Sequence, residues 1–260
     1  MFLRNRMRTG GTTAGFTTLG VDFDGANDIL KRGAGLTGAS DSPDGWLSMW
    51  IRLDGGDGTV LTILDTPDSG LNNFFLTRNA SNKFVVSAVN NGASATFGMT
   101  SSTAKTSGAS WIHLAMNWQW RSTLVQQIYV DGASDFGTND NNAATGTIDY
   151  TSTDFYIGDK TGSTPGSGVK LDACLAELIY APGQTFDLSN ATNMALLRDS
   201  STRKPVNPGT DGSAVTGVAP LVYLSVRSGG SATDFATNRG TGGNFSITGS
   251  LDLASSNPSD

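Results

Sequence analysis

Short runs of alternating apolar and polar residues recur along the first two-thirds of the chain, separated by clusters of Gly, Asn, Asp and Ser. In 46–53, Leu47, Met49, Ile51 and Leu53 fall on one face and Trp46, Ser48, Trp50 and Arg52 on the other, the period-two pattern of a strand. The next run, 59–64, follows Asp54-Gly55-Gly56-Asp57-Gly58, whose glycines admit positive φ, so a hairpin is expected between the two. Further strands are expected at 73–77, 83–89, 95–99, 111–118, 125–130, 154–157 and 171–180, with breaks at spacings that suit a two-sheet antiparallel sandwich. One helix is expected, at 189–198, capped by Ser189 or Asp187, with Ala191, Met194, Ala195 and Leu197 on its apolar face. Beyond it, 204–217 reads as a surface loop, 221–226 as a last strong strand and 244–253 as a short edge strand. No fixed-period repeat occurs, which argues against a propeller or solenoid.

Composition narrows the class to all-β. The chain has 260 residues, 37% hydrophobic and 15% charged, so it can bury a sizeable core. Of the 23 acidic residues only Glu177 is a glutamate, and Lys is scarce, so the residues that usually cover exposed helices are missing. A net charge of -6 argues against a general nucleic-acid binder, and no segment is long and apolar enough to suggest a membrane partner. Residues 1–11 lack the apolar stretch of a secretory signal. Arg4, Arg6 and Arg8 read either as a solvated tail or as an arm that anchors on an acidic neighbour. Cys174, the one cysteine, cannot form an internal disulfide and is expected to be a small buried core residue.

Catalytic constellations are hard to assemble from this inventory. A glycosidase pair of glutamates cannot be built from Glu177 alone, and Asp22 and Asp24 are explained more simply as turn formers. The single histidine, His113, is expected as a satisfied strand residue, and a zinc site needs more His and Cys than the chain owns. No enzyme is therefore expected, and no cofactor beyond calcium as a candidate, held by Asp22, Asp24 and Asp28 in the densest acidic patch. Against calcium stands the simpler reading of those residues as backbone-bending turn chemistry. For sugar binding, Trp118 and Trp120 share a face, and Asp135, Asn139, Asp140 and Asn141 in the polar stretch 135–142 offer hydroxyl-reading groups. The competing expectation for both tryptophans is core packing.

Several motifs in order resemble the laminin-G-like, concanavalin-type jelly rolls: Phe23-Asp24-Gly25-Ala26-Asn27-Asp28, the Trp-containing 45–52, Trp111-Ile112-His113-Leu114-Ala115, Ile128-Tyr129-Val130-Asp131-Gly132, Phe155-Tyr156-Ile157-Gly158 and Leu175-Ala176-Glu177-Leu178-Ile179-Tyr180. The resemblance implies a jelly roll over 21–181, preceded by an arm at 1–20 and followed by a helix, loop and strands at 182–260 that pack on the same domain. It also implies a structural role for Glu177. Lys204-Pro205-Val206, Asp211-Gly212-Ser213, Pro220-Leu221-Val222-Tyr223-Leu224 and Asn238-Arg239-Gly240-Thr241-Gly242-Gly243-Asn244-Phe245 resemble the tail region of a laminin-G-like family of tailed phages. That resemblance implies a virion structural protein, in capsid decoration, tail or fibre, multi-copy or homo-oligomeric, contacting other virion proteins and gripping host-surface glycans weakly. The alternative is a carbohydrate-binding adhesin or lectin that acts as a receptor-binding protein.

Overall fold

The alternating runs become short strands in two antiparallel sheets packed face to face. The computed structural model describes residues 16–68, 71–92, 94–159 and 170–260; Arg4, Arg6 and Arg8 lie outside the described residues. The first sheet holds β2 (Val21–Asp24), β4 (Asp44–Leu53), β9 (Ile112–Gln119), β10 (Val125–Val130), β11 (Ala133–Ser134), β14 (Asp172–Pro182), β15 (Val222–Leu224) and β18 (Asp252–Leu253). The second holds β3 (Ile29–Arg32), β5 (Leu61–Asp68), β6 (Leu71–Arg78), β7 (Phe84–Val89), β8 (Thr96–Ser101), β12 (Phe136–Asn139), β13 (Phe155–Ile157) and β17 (Ser246–Thr248). A two-stranded ribbon joins β1 (Thr18–Leu19) to β16 (Val226–Arg227). This is the all-β, concanavalin-like jelly roll that the alternation and the resemblance led us to expect.

The sandwich interior takes one face of each strand. Leu47, Met49, Ile51 and Leu53 of β4 meet Phe74, Leu76, Val86 and Phe97 of the opposite sheet, all essentially inaccessible to solvent. At ~25 cal/mol per Å² of apolar surface, such burial is the main driving force of the fold. A second core lies on the outer face of the first sheet. There Trp46, Ala115 and Ile179 are covered by Phe186, Leu188, Met194, Leu197 and Val215 of the segment after β14. Trp46 and Phe186 rings pack with centroids 4.8 Å apart. Both faces of β4 are therefore buried, which is why all ten of its residues are inaccessible despite their alternation.

Three expectations need correction. The glycine-rich 54–58 is not a hairpin, because β4 and β5 belong to different sheets; Gly56 (φ +70°) and Gly58 (φ +77°) turn the chain across the sandwich edge instead. The helix shrinks to α1 (Ala191–Met194), capped by Asn190, whose Oδ1 accepts from Thr192 N at 2.9 Å. Asp187 is taken up by the turn before it, accepting from Ser189 N and Oγ. The run 244–253 is two strands, one in each sheet: β17 pairs with β3 and β18 with β2.

Those two strands run beside β2 and β3, and Asp28 clamps the two connections that cross between the sheets. Its Oδ2 accepts from Asp24 N at 3.2 Å and its Oδ1 from Ser250 N at 2.8 Å. Gly249 makes this contact sterically possible: its φ is +90°, and a Cβ there would lie 2.3 Å from Asp28 Oδ1.

Glu177 holds the middle of the first sheet. On one flank, β14 pairs with β2 over Asp172–Leu175 and with β15 over Leu178–Tyr180. The hand-over between these neighbours is a β-bulge, marked by a register shift against β4 between Ala176 and Ile179 and by φ +47° at Glu177. The Glu177 carboxylate is buried. It accepts from Thr18 Oγ1 (2.6 Å), Tyr223 OH (2.8 Å) and Ser225 Oγ, and pairs with Arg227 Nη1 at 3.5 Å.

His113 sits beside the second core, fully buried, its Nε2 sharing a 2.9 Å hydrogen bond with Ser48 Oγ and its ring 5.1 Å from that of Trp50. Burial, reinforced by the Arg198 charge, pushes its imidazole down from 6.5 to about 3. In the unfolded chain the imidazole takes up a proton near pH 6.5. Between pH 6.5 and 3 the unfolded state therefore binds more protons, and this contribution to stability falls as pH falls.

Two outcomes are expected. Glu177→Ala should lower the unfolding free energy by about 3–5 kcal/mol in urea melts, since it strands Thr18, Tyr223, Ser225 and Arg227 together; an unchanged midpoint would refute the hub role. From pH 6.5 to 4.5, the wild type should lose stability relative to His113→Gln at about 1.4 kcal/mol per pH unit. Parallel profiles would show that the imidazole protonates in place.

Candidate functional site

A cleft of about 480 Å³ opens on the outer face of the first sheet, where the second core ends. This falls within the roughly 300–1,000 Å³ of small-ligand sites. Trp50 of β4 and Ser110-Trp111, leading into β9, form one side. Asp131 and the turn carrying Arg198, Ser200 and Arg203 form the other. Trp50 is almost wholly buried, whereas Trp111 is partly exposed, as a stacking platform requires. Two contacts fix the Trp111 indole: its Nε1 donates to Ser256 Oγ at 3.2 Å, and the Arg52 guanidinium lies over its ring, 5.8 Å from the centroid.

Local chain geometry aims the polar groups. Asp131 (φ +53°) and Gly132 (φ +80°) form the two-residue turn between β10 and β11, a conformation that Asp-Gly favours. Asp131 Oδ1 accepts from His113 N at 3.0 Å, which orients the carboxylate. After α1, Arg198 forms a bridge with Pro205, closing a tight turn over 199–204. Asp199 stabilises that turn by accepting from Ser201 N, Ser201 Oγ and Thr202 N, and these bonds hold its carboxyl down at about 2. Arg203 leaves the turn with φ +59°, on the same side as Arg198.

The residues singled out from sequence lie elsewhere. Trp118 and Trp120 do share a face, but it is the inner one. Both are fully buried, Trp118 donating to Tyr150 OH (2.7 Å) and Trp120 to Ala143 O (3.0 Å), so neither has a face free for a sugar ring. Asp135 is buried and accepts from Thr103 N and Oγ1. Asn139 accepts from Asn141 N, Asp140 from Thr100 Oγ1, and Asn141 from Gly98 N. These four residues pin edge strand β12 and its continuation to β8 and the loop after it.

Asp22, Asp24 and Asp28 do not converge on one point. Asp24 Oδ1 accepts from Ala26 N and Asn27 N in an exposed turn, which holds its carboxyl below the usual range, and Asp28 is the clamp described above. Among the described residues, Asp22 instead groups with Asp54 and Cys174, their ligand atoms within 4.8 Å of one another. The Arg52 guanidinium already occupies that cluster. It binds both Asp54 oxygens at 2.8 and 3.0 Å and reaches Cys174 Sγ at 3.1 Å. Burial pushes the Cys174 thiol and the Asp22 carboxyl up, so both favour their protonated forms over the anions a metal needs. Cys174 is buried, as its place on an alternating strand suggested, although it faces this polar cluster and not the sandwich interior.

Sequence reading missed the cleft because its walls come from residues 50, 110–111, 131 and 198–203. The one local signal was Asp199-Ser200-Ser201-Thr202, a turn former that brings its flanking arginines to one side; the helix expected at 189–198 absorbed Arg198.

Known proteins share this fold. The laminin-G family model, described as the concanavalin A-like lectin/glucanases superfamily, matches residues 41–178, more than half of the chain. No curated protein matches by sequence. Among solved structures, a Bacteroides ovatus protein ascribed to carbohydrate binding superposes with a TM-score of 0.61 at 14% identity, over 92% of this chain and 60% of that one. This chain thus spans less than two-thirds of that structure's length. The heptameric SAP-like pentraxin of Limulus polyphemus gives a TM-score of 0.56 at 13% identity, over 92% of this chain and 95% of that one. At such identities the likeness is one of fold. The matched family model supplies the assignment: the chain belongs to the concanavalin A-like lectin/glucanases superfamily.

Proposed function

We propose that the protein is a non-catalytic carbohydrate-binding module of lectin type, holding a saccharide in the cleft between Trp111 and the 198–203 turn. The observation that carries this reading is the cleft itself, which partly exposed Trp111 lines together with a carboxylate, two hydroxyls and two guanidiniums. A ring stacks on the indole while its hydroxyls meet Asp131, Ser110 and Ser200, the division of labour that sugar recognition needs. Support comes also from the superfamily and from the carbohydrate-binding assignment of the Bacteroides ovatus structure.

Non-catalysis rests on the carboxylates. Glu177, the single glutamate, is buried at the β14 bulge and surrounded by hydroxyl donors. In the cleft, Asp131 is the one carboxylate among the lining residues, so a two-carboxylate glycosidase pair is not assembled there.

A virion location and virion-protein partners rest on the resemblance of the C-terminal segments to phage tail regions. Those segments also have a folding explanation. Lys204 Nζ donates to Ser259 O at 2.7 Å, and Asn238 Nδ2 ties Leu221 O to Gly243 O. Several copies on one particle would strengthen weak single-site binding through avidity.

A glycan array probed with the purified protein should show binding that Trp111→Ala weakens about tenfold, the equivalent of ~1.4 kcal/mol, without unfolding the protein. Trp118→Ala should act in the opposite sense, lowering stability by about 3–5 kcal/mol through its core cavity. A folded protein that binds no glycan would sink the proposal.

A further inference from the structure

Arg198 is an anomaly in this fold. Its side chain is about nine-tenths buried, yet its Nε has no hydrogen-bond partner, and among the described residues its guanidinium makes neither an ion pair nor a side-chain hydrogen bond. Among the described residues, every other arginine that is comparably buried is matched: Arg78 by Asp57 at 2.9 Å and Arg52 by Asp54 at 2.8 Å. A buried charge without a counter-charge is strongly unfavourable, and folded proteins pair such groups. The chain has an excess of carboxylates, with 23 acidic against 17 basic residues, so the lack of a partner here is not a shortage of acids. The nearest acid in sequence, Asp199, is engaged in its own turn.

Arg198 also sits at the cleft. A Cβ added at Gly132 would lie 3.2 Å from its Nη1, which puts the guanidinium against the Asp131-Gly132 turn. Arg203, exposed and likewise without an ion pair among the described residues, lines the same cleft. Among the described residues, two guanidiniums without ion pairs therefore line the cleft that Trp111 also lines. A guanidinium is a planar donor fork that matches an oxyanion bidentately, and desolvation strengthens that match.

We infer that the cleft selects acidic saccharides, the sugar's oxyanion supplying the counter-charge that Arg198 and Arg203 lack while the ring stacks on Trp111. This deepens the carbohydrate-binding reading and rests on it. Asp131 adds selectivity: its carboxylate repels an oxyanion placed on the wrong side, so the charged group must sit toward Arg198 and Arg203 while hydroxyls face Asp131. Such binding weakens as salt rises, less steeply for buried Arg198 than for exposed Arg203.

The test is an array that pairs sialylated, uronate-bearing and sulfated glycans with their neutral parents, followed by titration of the best binder. Binding is expected on acidic glycans and not on their parents, and it should fall roughly tenfold to a hundredfold in Arg198→Gln and Arg203→Gln. The carboxylated and sulfated arms identify which oxyanion is held. Because the Arg198 guanidinium has no partner among the described residues, Arg198→Gln should also keep or raise the thermal midpoint, by about 2–4 °C for each kcal/mol of relieved charge burial. A lowered midpoint would mean that the guanidinium serves the fold, and would overturn the inference. Equal binding to neutral parents, or acidic binding indifferent to both substitutions, would overturn it too while leaving carbohydrate binding standing. No binding to any glycan would remove both. If Arg198→Gln fails to fold, the inference is likewise overturned for Arg198, and exposed Arg203→Gln still reports on the acidic preference.

Discussion

One carboxylate in the middle of β14 makes the rest of the sheet possible. Strand β14 must release β2 at Leu175 and receive β15 at Leu178, and the bulge that permits this forces a non-glycine residue to φ +47°. The left-handed conformation costs on the order of 1–2 kcal/mol. Against it stand three hydroxyl donors and Arg227, each charge-assisted bond contributing roughly 1.5–3 kcal/mol. The attractive side wins, provided all the donors arrive together. They come from β1, from β15 and β16 and from Ser225 between those two, so the carboxylate couples the start of the described chain to its last third.

Beyond that hub, the fold uses both faces of the first sheet. The inner face builds the sandwich, and the outer face is roofed by the segment after β14 until that roof ends near Leu197. The cleft lies where the roof stops. Its framework part is Trp50, backed by the buried His113 ring, while its turn part is Asp131 and 198–203. The family match at 41–178 includes the framework part and the Asp131 turn but not the arginines. The charged part of the cleft therefore belongs to the C-terminal third.

The sequence made the strands legible, because period-two alternation reports a half-buried strand directly; β10 falls at 125–130 as expected. Alternation gives parity, however, and not which face is inside. The alternation puts Trp118 and Trp120 on one face, yet only the other sheet decides that this face is the inner one. Nor does alternation say which sheet a strand joins, so 54–58 looked like a hairpin and is a crossing between sheets. Asp22, Asp24 and Asp28 are close in sequence, but a strand and a turn send them to a polar cluster, a turn cap and a clamp. Long-range groupings of this kind have no local signature, and the cleft is one of them.

The pairing of β17 with β3 and of β18 with β2 bears on how the chain is made. Residues 246–253 complete the edges of both sheets against partners more than 200 positions earlier, at 21–32. During translation, the N-terminal strands leave the ribosome long before those partners exist. Until then β2 and β3 present unpaired edges, the kind of surface on which nascent chains stick to one another. The Asp28 clamp forms only when Ser250 arrives, so it acts as a late latch that ends this exposed interval.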